Sequence, residues 1–217
     1  MVRRGQGERM KTPEQWRALA QERQQAVDAD PDNGSLQFEL AEALFGSGDM
    51  AGAQEAYARS VDLGSEHTVQ ALVQLAGFAA GSGNLEECRA RLNQALERNP
   101  DYGPAWVNLG FVLLQQGEVQ QAVDALARGA ELEPHPPVLT RLAVAYLAAG
   151  QPDLCAEVSR KALDMDPNFG PAWDTLAVAA YRQGDKAKAR EYLAKVEEAG
   201  FPPNPELSAL LEQEDDT

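Results

Sequence analysis

The sequence predicts an all-α protein, a solenoid of five stacked helix-turn-helix repeats with one capping helix at each end. A glycine suited to a tight turn recurs every 33 to 35 residues, at Gly48, Gly83, Gly117, Gly150 and Gly184. Between these glycines, apolar residues are spaced by three, four and seven positions, which places them on one face of a helix. No segment shows the alternating pattern of a strand. A hairpin of two such helices has two apolar faces and only one internal partner, so it must stack on a neighbour.

The segment from Gly103 to Pro134 shows the repeat most clearly. Each half carries one apolar stripe: Trp106, Leu109, Gly110 and Leu113 in the first, and Ala122, Leu126, Gly129 and Ala130 in the second. Gly117 separates the halves, and Pro134 ends the second because proline cannot donate a hydrogen bond to a continuing helix. The small residues at Gly110 and Ala122 predict that the two helix backbones approach closely there.

Further residues keep the same register along the chain. A leucine followed by a small residue recurs as Leu40-Ala41, Leu75-Ala76, Leu109-Gly110, Leu142-Ala143 and Leu176-Ala177, and closing prolines recur as Pro31, Pro100, Pro134 and Pro167. This pattern resembles the tetratricopeptide repeat family, whose unit of 34 residues carries Trp, Leu, Gly and Tyr in its first helix and Ala and Phe in its second. The tryptophan of the first helix is present as Trp106 and Trp173, and the aromatic residue of the second helix only as Tyr57. The resemblance implies a right-handed superhelix.

The predicted elements follow one another in a single domain at 13–200. Residues 1–12 form a basic, glycine-rich arm that we expect to be disordered. A capping helix with Thr12 as its N-cap and Pro13 as its first residue then covers 13–31. The five repeats occupy 34–65, 69–100, 103–134, 136–167 and 170–200. A C-terminal capping helix and an acidic tail occupy 204–217, with three leucines on one side of the helix: Leu207, Leu210 and Leu211.

The composition argues against two classes of ligand. The formal net charge is -15, whereas nucleic acids and anionic membrane surfaces are bound by clustered lysine and arginine. No apolar run is long enough for a membrane-spanning helix, and the first residues lack the apolar segment of a secretory signal. We therefore expect a protein or peptide partner, no nucleic acid, no membrane insertion and a cytoplasmic location, with the chain a monomer or a weak homo-oligomer.

The sequence shows no pattern of a catalytic, cofactor or metal site. The two histidines, His67 and His135, lie in loops about two repeats apart, too far from each other to share a metal ion. Cys88 and Cys155 occupy the same repeat position two repeats apart, beyond the ~7 Å between Cα atoms that a disulfide allows. Each replaces a small alanine in a helix contact. We expect no enzymatic activity, no cofactor and no metal.

The resemblance places the candidate binding residues on the first helix of each repeat, which faces the concave surface in this family and binds peptides there. These positions are unusually apolar for a surface, and a contiguous apolar patch on a soluble protein usually marks an interaction site. The expected groove residues are Phe38, Phe45, Val73, Val107, Asn108, Phe111, Leu114, Gln115, Arg141, Val144, Leu147, Asp174, Val178 and Tyr181. Phe111 and Leu114, one turn apart in the middle repeat, are the central pair. The alternative is that these side chains are buried against neighbouring helices.

Two polar residues invite comparison with a clamp known in part of this family, in which lysines, asparagines and an arginine hold the carboxylate that ends a chaperone's tail. Asn108 and Arg141 match two positions of that clamp. The other three positions lack its lysines and its second asparagine: they hold Val73, Gly77 and Pro137. The sequence therefore speaks against such a clamp. Asp174 lies beside Arg141 on the next repeat, which predicts an ion pair between them.

The predicted function is a non-enzymatic scaffold that binds a partner peptide or helix in a largely apolar groove. Apolar side chains would supply most of the affinity, while Asn108, Gln115 and Arg141 would fix the backbone of the partner. Two alternatives remain open. A holding chaperone would keep apolar cargo, for example a secreted protein, soluble in the cytoplasm. Self-assembly would insert the C-terminal helix of one copy into the groove of another.

Overall fold

The computed structural model describes residues 11–213 as twelve α-helices without a strand. Helices α2 to α11 form the five helix-turn-helix repeats, and α1 and α12 precede and follow them, so the predicted fold class is confirmed. The chain divides between Asn99 and Pro100 into two compact units, and each unit is described by itself. Most of the basic arm at 1–12 and the acidic residues after 213 lie outside the described residues.

The first unit contains five helices: α1 (Pro13–Ala29), α2 (Gly34–Ser47), α3 (Met50–Leu63), α4 (Thr68–Gly81) and α5 (Leu85–Arg98). Each of the helices from α1 to α4 packs against the helix that follows it. The core is rich in alanine, and the completely buried ring of Tyr57 lies within it. Small side chains allow the helix backbones to approach, and the large tyrosine then fills the space between three of them at close-packed density.

Helix α1 begins at a capping box and docks through its tryptophan. The backbone N–H of Gln15 donates to Thr12 Oγ1 at 3.3 Å, and the backbone N–H of Thr12 donates to Gln15 Oε1 at 2.8 Å. These bonds satisfy two of the amides that a helix start leaves without partners. The indole of Trp16 lies on Gly46 of α2, where a Cβ atom would come within 2.3 Å of Trp16 Cδ2. Helix α1 therefore caps the first repeat with its largest apolar side chain.

The second unit contains seven helices: α6 (Gly103–Gln115), α7 (Val119–Leu132), α8 (Pro136–Ala148), α9 (Pro152–Met165), α10 (Gly170–Arg182), α11 (Lys186–Glu198) and α12 (Pro205–Gln213). Successive helices from α6 to α11 pack against each other. The first helices of the three repeats also contact one another, α6 with α8 and α8 with α10. A core of leucine, valine and alanine side chains runs from α6 to α10. The stacking that each hairpin requires is therefore present within this unit.

The hairpin of α6 and α7 contains a very close helix contact. A Cβ atom at Gly110 would lie 2.4 Å from Leu126 Cγ and 3.2 Å from the backbone oxygen of Ala122, so the approach predicted at these small residues is present. Gly117 turns the chain between the helices with a φ of 78°, a left-handed conformation that glycine adopts without strain. The other four periodic turn glycines also have positive φ.

Helix α12 covers the end of the second unit. Leu207 and Leu211 are buried against alanine and leucine side chains of α10 and α11. Leu210 is exposed, so of the three leucines predicted on one side of this helix only Leu207 and Leu211 make the capping contact. One step along a helix rotates the side chain by about 100°, and Leu210 therefore misses the contact that Leu211 makes.

Candidate protein-interaction surface

The first helices of the second unit present a row of apolar side chains at equivalent repeat positions: Phe111 on α6, Val144 on α8 and Val178 on α10. Phe111 exposes 46% of its surface and Val144 exposes 44%, while Val178 is half-buried. Because α6 contacts α8 and α8 contacts α10, these side chains belong to one surface. We call it the α6–α8–α10 face and include in it the polar neighbours Asn108 and Arg141.

Arg141 contributes a positive charge to this face. Its guanidinium carbon lies 6.0 Å from the centroid of the Phe111 ring, within the range of a cation–π attraction. The predicted ion pair between Arg141 and Asp174 is not formed. Instead, Asp174 Oδ1 accepts a hydrogen bond from the backbone N–H of Asn204 at 3.1 Å, and burial raises the pKa of this carboxyl above its ordinary value. The segment leading into α12 therefore occupies Asp174, and Arg141 can donate to a ligand.

The other predicted residues near this face differ in accessibility. Leu114 is half-buried because it packs against the core between α6 and α10, and Tyr181 is half-buried against the cluster beneath α12. Gln115 is exposed and Asn108 is half-buried, and neither side chain has a hydrogen-bond partner among residues 11–213. Both amides can therefore donate to, and accept from, the backbone of a bound segment.

Two residues predicted to line the groove lie in the core instead. Val107 is 7% exposed and Leu147 is 6% exposed, and both belong to the core of the second unit. A Cβ atom at Gly129 would lie 2.6 Å from Val107 Cγ2, so the absence of a side chain at Gly129 lets Val107 pack directly on α7. The backbone oxygen of Leu147 accepts a hydrogen bond from the guanidinium of Arg182. The prediction is wrong at these two positions, where burial against neighbouring helices applies.

In the first unit, the predicted residues Phe38, Phe45 and Val73 belong to α2 and α4. Phe45 exposes 44% of its surface, whereas Phe38 and Val73 are half-buried. Phe38 stacks on His67 with ring centroids 4.6 Å apart, and Phe45 lies perpendicular to Phe78 at 6.0 Å. The repeat pattern does not single out Phe78, because its aromatic neighbours lie in a different repeat. In the sequence, the contact between Phe45 and Phe78 is indicated only by the presence of aromatic residues in adjacent repeats.

The second unit also has a cleft on the side of its second helices. The cleft has a volume of about 530 Å³ and is lined by residues of α7, α8 and α9, including the exposed Leu154 and Met165. At its rim, Lys161 Nζ pairs with Glu157 Oε1 at 2.7 Å. Sequence reasoning missed this cleft because the family resemblance directs attention to the first helices only.

No three or more His, Cys, Asp or Glu side chains are arranged to hold a metal ion within residues 11–213. The helices of this range include none that is both long and apolar enough to cross a bilayer. Cys88 and Cys155 are buried with free thiols. Near Cys155, the hydroxyls of Ser159 and Thr175 share a hydrogen bond of 2.7 Å in the contact between α9 and α10.

We expect Cys155 to resist alkylation in the folded protein. Burial raises the pKa of its thiol from 9.0 to about 11, so the reactive thiolate is scarce at neutral pH. Iodoacetamide at pH 8 should leave both cysteines unmodified in buffer and modify both in denaturant, as counted by mass spectrometry. The pKa of the Cys155 thiol is higher in the folded protein than in the unfolded chain. The thiol therefore contributes its full stabilisation below about pH 9, and this contribution is lost as the pH rises toward 11. Alkylation at equal rates with and without denaturant would contradict this burial.

The stacked hairpins define this chain as a helical-repeat protein. Tetratricopeptide repeat models match residues 79–142 and 146–214, and a further model of the same repeat matches residues 17–67. The chain belongs to the tetratricopeptide repeat family, and the resemblance predicted from the sequence is confirmed.

Curated relatives share part of their length with this chain. The small glutamine-rich tetratricopeptide repeat-containing protein 2 of Mycosarcoma maydis is 30% identical over 124 residues, which cover 57% of this chain and 34% of that protein. The heat-shock protein cognate co-chaperone sgt12 of Aspergillus fumigatus is 31% identical over 91 residues, which cover 42% and 27%. The cytochrome c-type biogenesis protein CycH of Pseudomonas aeruginosa is 31% identical over 116 residues, which cover 52% and 28%. The chain thus spans about a third of the length of these relatives.

Solved structures of repeat proteins have the same fold. YrrB, described as a TPR protein with an unusual peptide-binding site, superposes with a TM-score of 0.74 at 17% identity, covering 89% of this chain and 99% of YrrB. MamA superposes with a TM-score of 0.67 at 22% identity, covering 76% and 91%. At these identities the likeness concerns the fold alone. The repeats support a protein–protein interaction scaffold with protein partners, and the matching family models indicate no catalytic family.

Proposed function

We propose that this protein is a non-enzymatic scaffold that binds an extended or helical segment of a partner protein along the α6–α8–α10 face. The observation that carries the proposal is the exposure of Phe111 and Val144 at equivalent positions of two helices in contact. Burying an exposed aromatic ring and a valine against a partner releases water from apolar surface, which is the main favourable term in association. Large apolar side chains at the centre of an interface commonly carry most of its binding energy.

The polar residues of the face provide orientation in this proposal. Arg141 lies over the Phe111 ring, and its N–H groups remain able to donate to a backbone oxygen or a carboxylate of the partner. Asn108 and Gln115 offer amides that have no partner within the described residues. Leu114, Val178 and Tyr181 are half-buried and extend the contact at its margin.

The curated relatives include a co-chaperone, but we do not propose that this chain grips a chaperone's carboxylate tail. Val73, Gly77 and Pro137 stand where the clamp would need lysine or asparagine. Self-assembly through α12 is not proposed either, because Leu207 and Leu211 are buried on their own chain. A cytoplasmic location remains part of the proposal.

The test is a pull-down from native lysate with the double variant Phe111→Asp, Val144→Asp, read by quantitative mass spectrometry. We expect the principal partner to lose at least about tenfold in enrichment, because two charges would be buried at the centre of the contact. The matched control is Leu154→Asp, Met165→Asp, which adds the same charge to exposed apolar residues of α9 in the same unit. It should retain the partner.

Two other results would redirect the proposal. Partners retained by the Phe111 and Val144 variant but lost by the control would contradict the α6–α8–α10 face and assign binding to the cleft beside Leu154. A client that stays soluble in cells only when this protein is co-expressed would indicate the holding chaperone. Circular dichroism must first show that both variants fold.

A further inference from the structure

A carboxylate in the first unit is held in a fixed orientation but uses only one of its oxygens. Glu42 of α2 accepts hydrogen bonds on Oε1 from the hydroxyl of Tyr57 on α3 and from Nε2 of Gln74 on α4, the latter at 3.4 Å. Its second oxygen, Oε2, has no protein partner within residues 11–213. The side chain is half-buried. Two neighbouring helices therefore orient the negative charge of Glu42, which has no counter-ion within residues 11–213.

Aromatic residues neighbour Glu42 on α2 and α4. Phe38 and Phe45 lie four residues before and three residues after Glu42 on the same helix, and this spacing places all three on one face of α2. Phe78 of α4 lies 6.0 Å from Phe45 and 6.3 Å from Tyr57, measured between ring centroids. Phe45 exposes nearly half of its surface. The free carboxylate oxygen and an exposed aromatic ring therefore belong to one accessible surface of the first unit.

This combination matches the needs of a cationic side chain. A guanidinium or ammonium group donates charge-assisted hydrogen bonds to a carboxylate oxygen, and aromatic ring faces attract it through their quadrupole. Partial burial reduces competition from water for both interactions. We propose that the α2–α4 surface around Glu42 binds an arginine or lysine side chain of a partner protein. The proposal rests on the proposed scaffold function and names the chemistry of a second contact, in the first unit.

The charges around the site support a cationic ligand. Burial and the adjacent carboxylate of Glu42 raise the pKa of the Tyr57 hydroxyl well above its ordinary value, so the tyrosine keeps its proton and donates it in the hydrogen bond to Glu42. Arg23 of α1, a basic residue that contacts α2, is already paired with Glu39 at 3.0 Å. The chain as a whole carries a net charge of -15, which favours the approach of basic segments.

A purely structural role for Glu42 makes a different prediction. If the side chain served only to accept the Tyr57 hydrogen bond, the neutral amide of glutamine would serve as well, because its carbonyl oxygen is also an acceptor. The charge would then be unnecessary. The variant Glu42→Gln therefore separates the two roles, since it keeps the acceptor and removes the charge.

The experiment titrates ¹⁵N-labelled protein with the N-acetyl, N-methylamide derivatives of arginine, lysine and norleucine, followed by NMR. We expect saturable shifts of α2 and α4 amides with the two cationic probes, stronger for arginine because its planar group stacks on aromatic rings, and no saturation with norleucine. Glu42→Gln should weaken binding of the arginine probe about tenfold. The matched control Glu97→Gln removes the same charge from an exposed position of α5 and should leave the affinity unchanged.

Three results would overturn the proposal. Norleucine could shift the same amides as strongly as arginine, Glu42→Gln could bind as well as the wild type, or no probe could produce a saturable shift. The variant Tyr57→Phe tests whether Glu42→Gln acts only by disturbing the hydrogen bond between Tyr57 and Glu42. It removes this hydrogen bond and keeps the carboxylate. It should bind the arginine probe within about threefold of wild type, and a loss equal to that of Glu42→Gln would also count against the proposal. These probes report on the first unit, so they can fail while the pull-down succeeds, and the reverse.

Discussion

Replacing Leu126 by alanine is expected to lower the free energy of unfolding of the second unit by about 3 kcal/mol. Leu126 is completely buried, and its Cγ faces Gly110 of α6. Gly110 has no side chain that could move into the cavity, so on the side of Gly110 the cavity can be filled only by a shift of the α6 backbone. Leu154→Ala removes the same atoms from an exposed position of α9 and should cost less than about 1 kcal/mol.

Urea unfolding followed by circular dichroism and by the fluorescence of Trp106 and Trp173 measures this difference. Repeat proteins can unfold in stages, so hydrogen exchange of the α6 and α7 amides provides a local measure of the same free energy. Equal losses for Leu126→Ala and Leu154→Ala would contradict the packing described for this hairpin.

The repeat pattern predicted most of the fold because each feature of the pattern corresponds to one feature of the structure. The short turn between α6 and α7 uses a left-handed residue, and Gly117 marks this turn in the sequence as clearly as in the structure. The leucine and alanine stripes then fix which face of each helix is buried. Repetition at a constant interval adds the information that the hairpins stack, which a single hairpin does not contain.

The candidate surface was predicted less well because exposure depends on the neighbours of each residue as well as on its repeat position. Val107 and Val73 occupy the same position in successive repeats, yet Val107 is fully buried and Val73 is half-buried. Gly129 contributes to the difference, because its missing side chain leaves space in which Val107 packs on α7. The usual exposure of a repeat position in this family therefore does not predict the exposure of each residue at that position.

The Arg141–Asp174 prediction failed for a related reason. Opposite charges on adjacent repeats predicted an ion pair. In the structure, Asp174 instead accepts a hydrogen bond from the backbone N–H of Asn204, in the segment before α12. The course of that segment follows no repeat rule, so the sequence pattern could not predict it. Arg141 instead lies over an aromatic ring, an arrangement that only the three-dimensional neighbourhood reveals.

One repeat position illustrates how a constant fold carries different surfaces. This position lies two residues after the leucine of each leucine–small pair. It is acidic in the first repeat, glycine in the second and apolar in the last three: Glu42, Gly77, Phe111, Val144 and Val178. In the first unit this position holds a carboxylate among aromatic rings, and in the second unit it holds the apolar row of the α6–α8–α10 face. The backbone fixes where these side chains stand, and the side chains decide what each surface can bind.

Gly110→Ala is expected to destabilise the second unit by about 1–2 kcal/mol, although alanine is favoured over glycine in a helix by about 1 kcal/mol. The new Cβ would lie 2.4 Å from Leu126 Cγ and 3.2 Å from a backbone oxygen. Neither atom is the flexible end of a side chain, so the overpacking cost should fall in the upper part of the usual ~1–3 kcal/mol. The gain of about 1 kcal/mol in helix propensity offsets part of this cost, which leaves the net destabilisation given above. The other four repeats hold alanine at this position, as Ala41, Ala76, Ala143 and Ala177. Averaging over repeats therefore predicts the opposite sign.

A double-mutant cycle decides between these expectations. If the steric contact with Leu126 dominates, Gly110→Ala should become much less destabilising in the Leu126→Ala background, with a coupling energy of about 2 kcal/mol. The control Gly77→Ala, in α4, meets no atom within 4 Å and should stabilise the first unit by about 0.5–1 kcal/mol through helix propensity alone. Stabilisation by Gly110→Ala in the wild-type background, or additivity of the two substitutions, would mean that α6 and α7 can separate at little cost. The closeness of this hairpin would then be incidental to its stability.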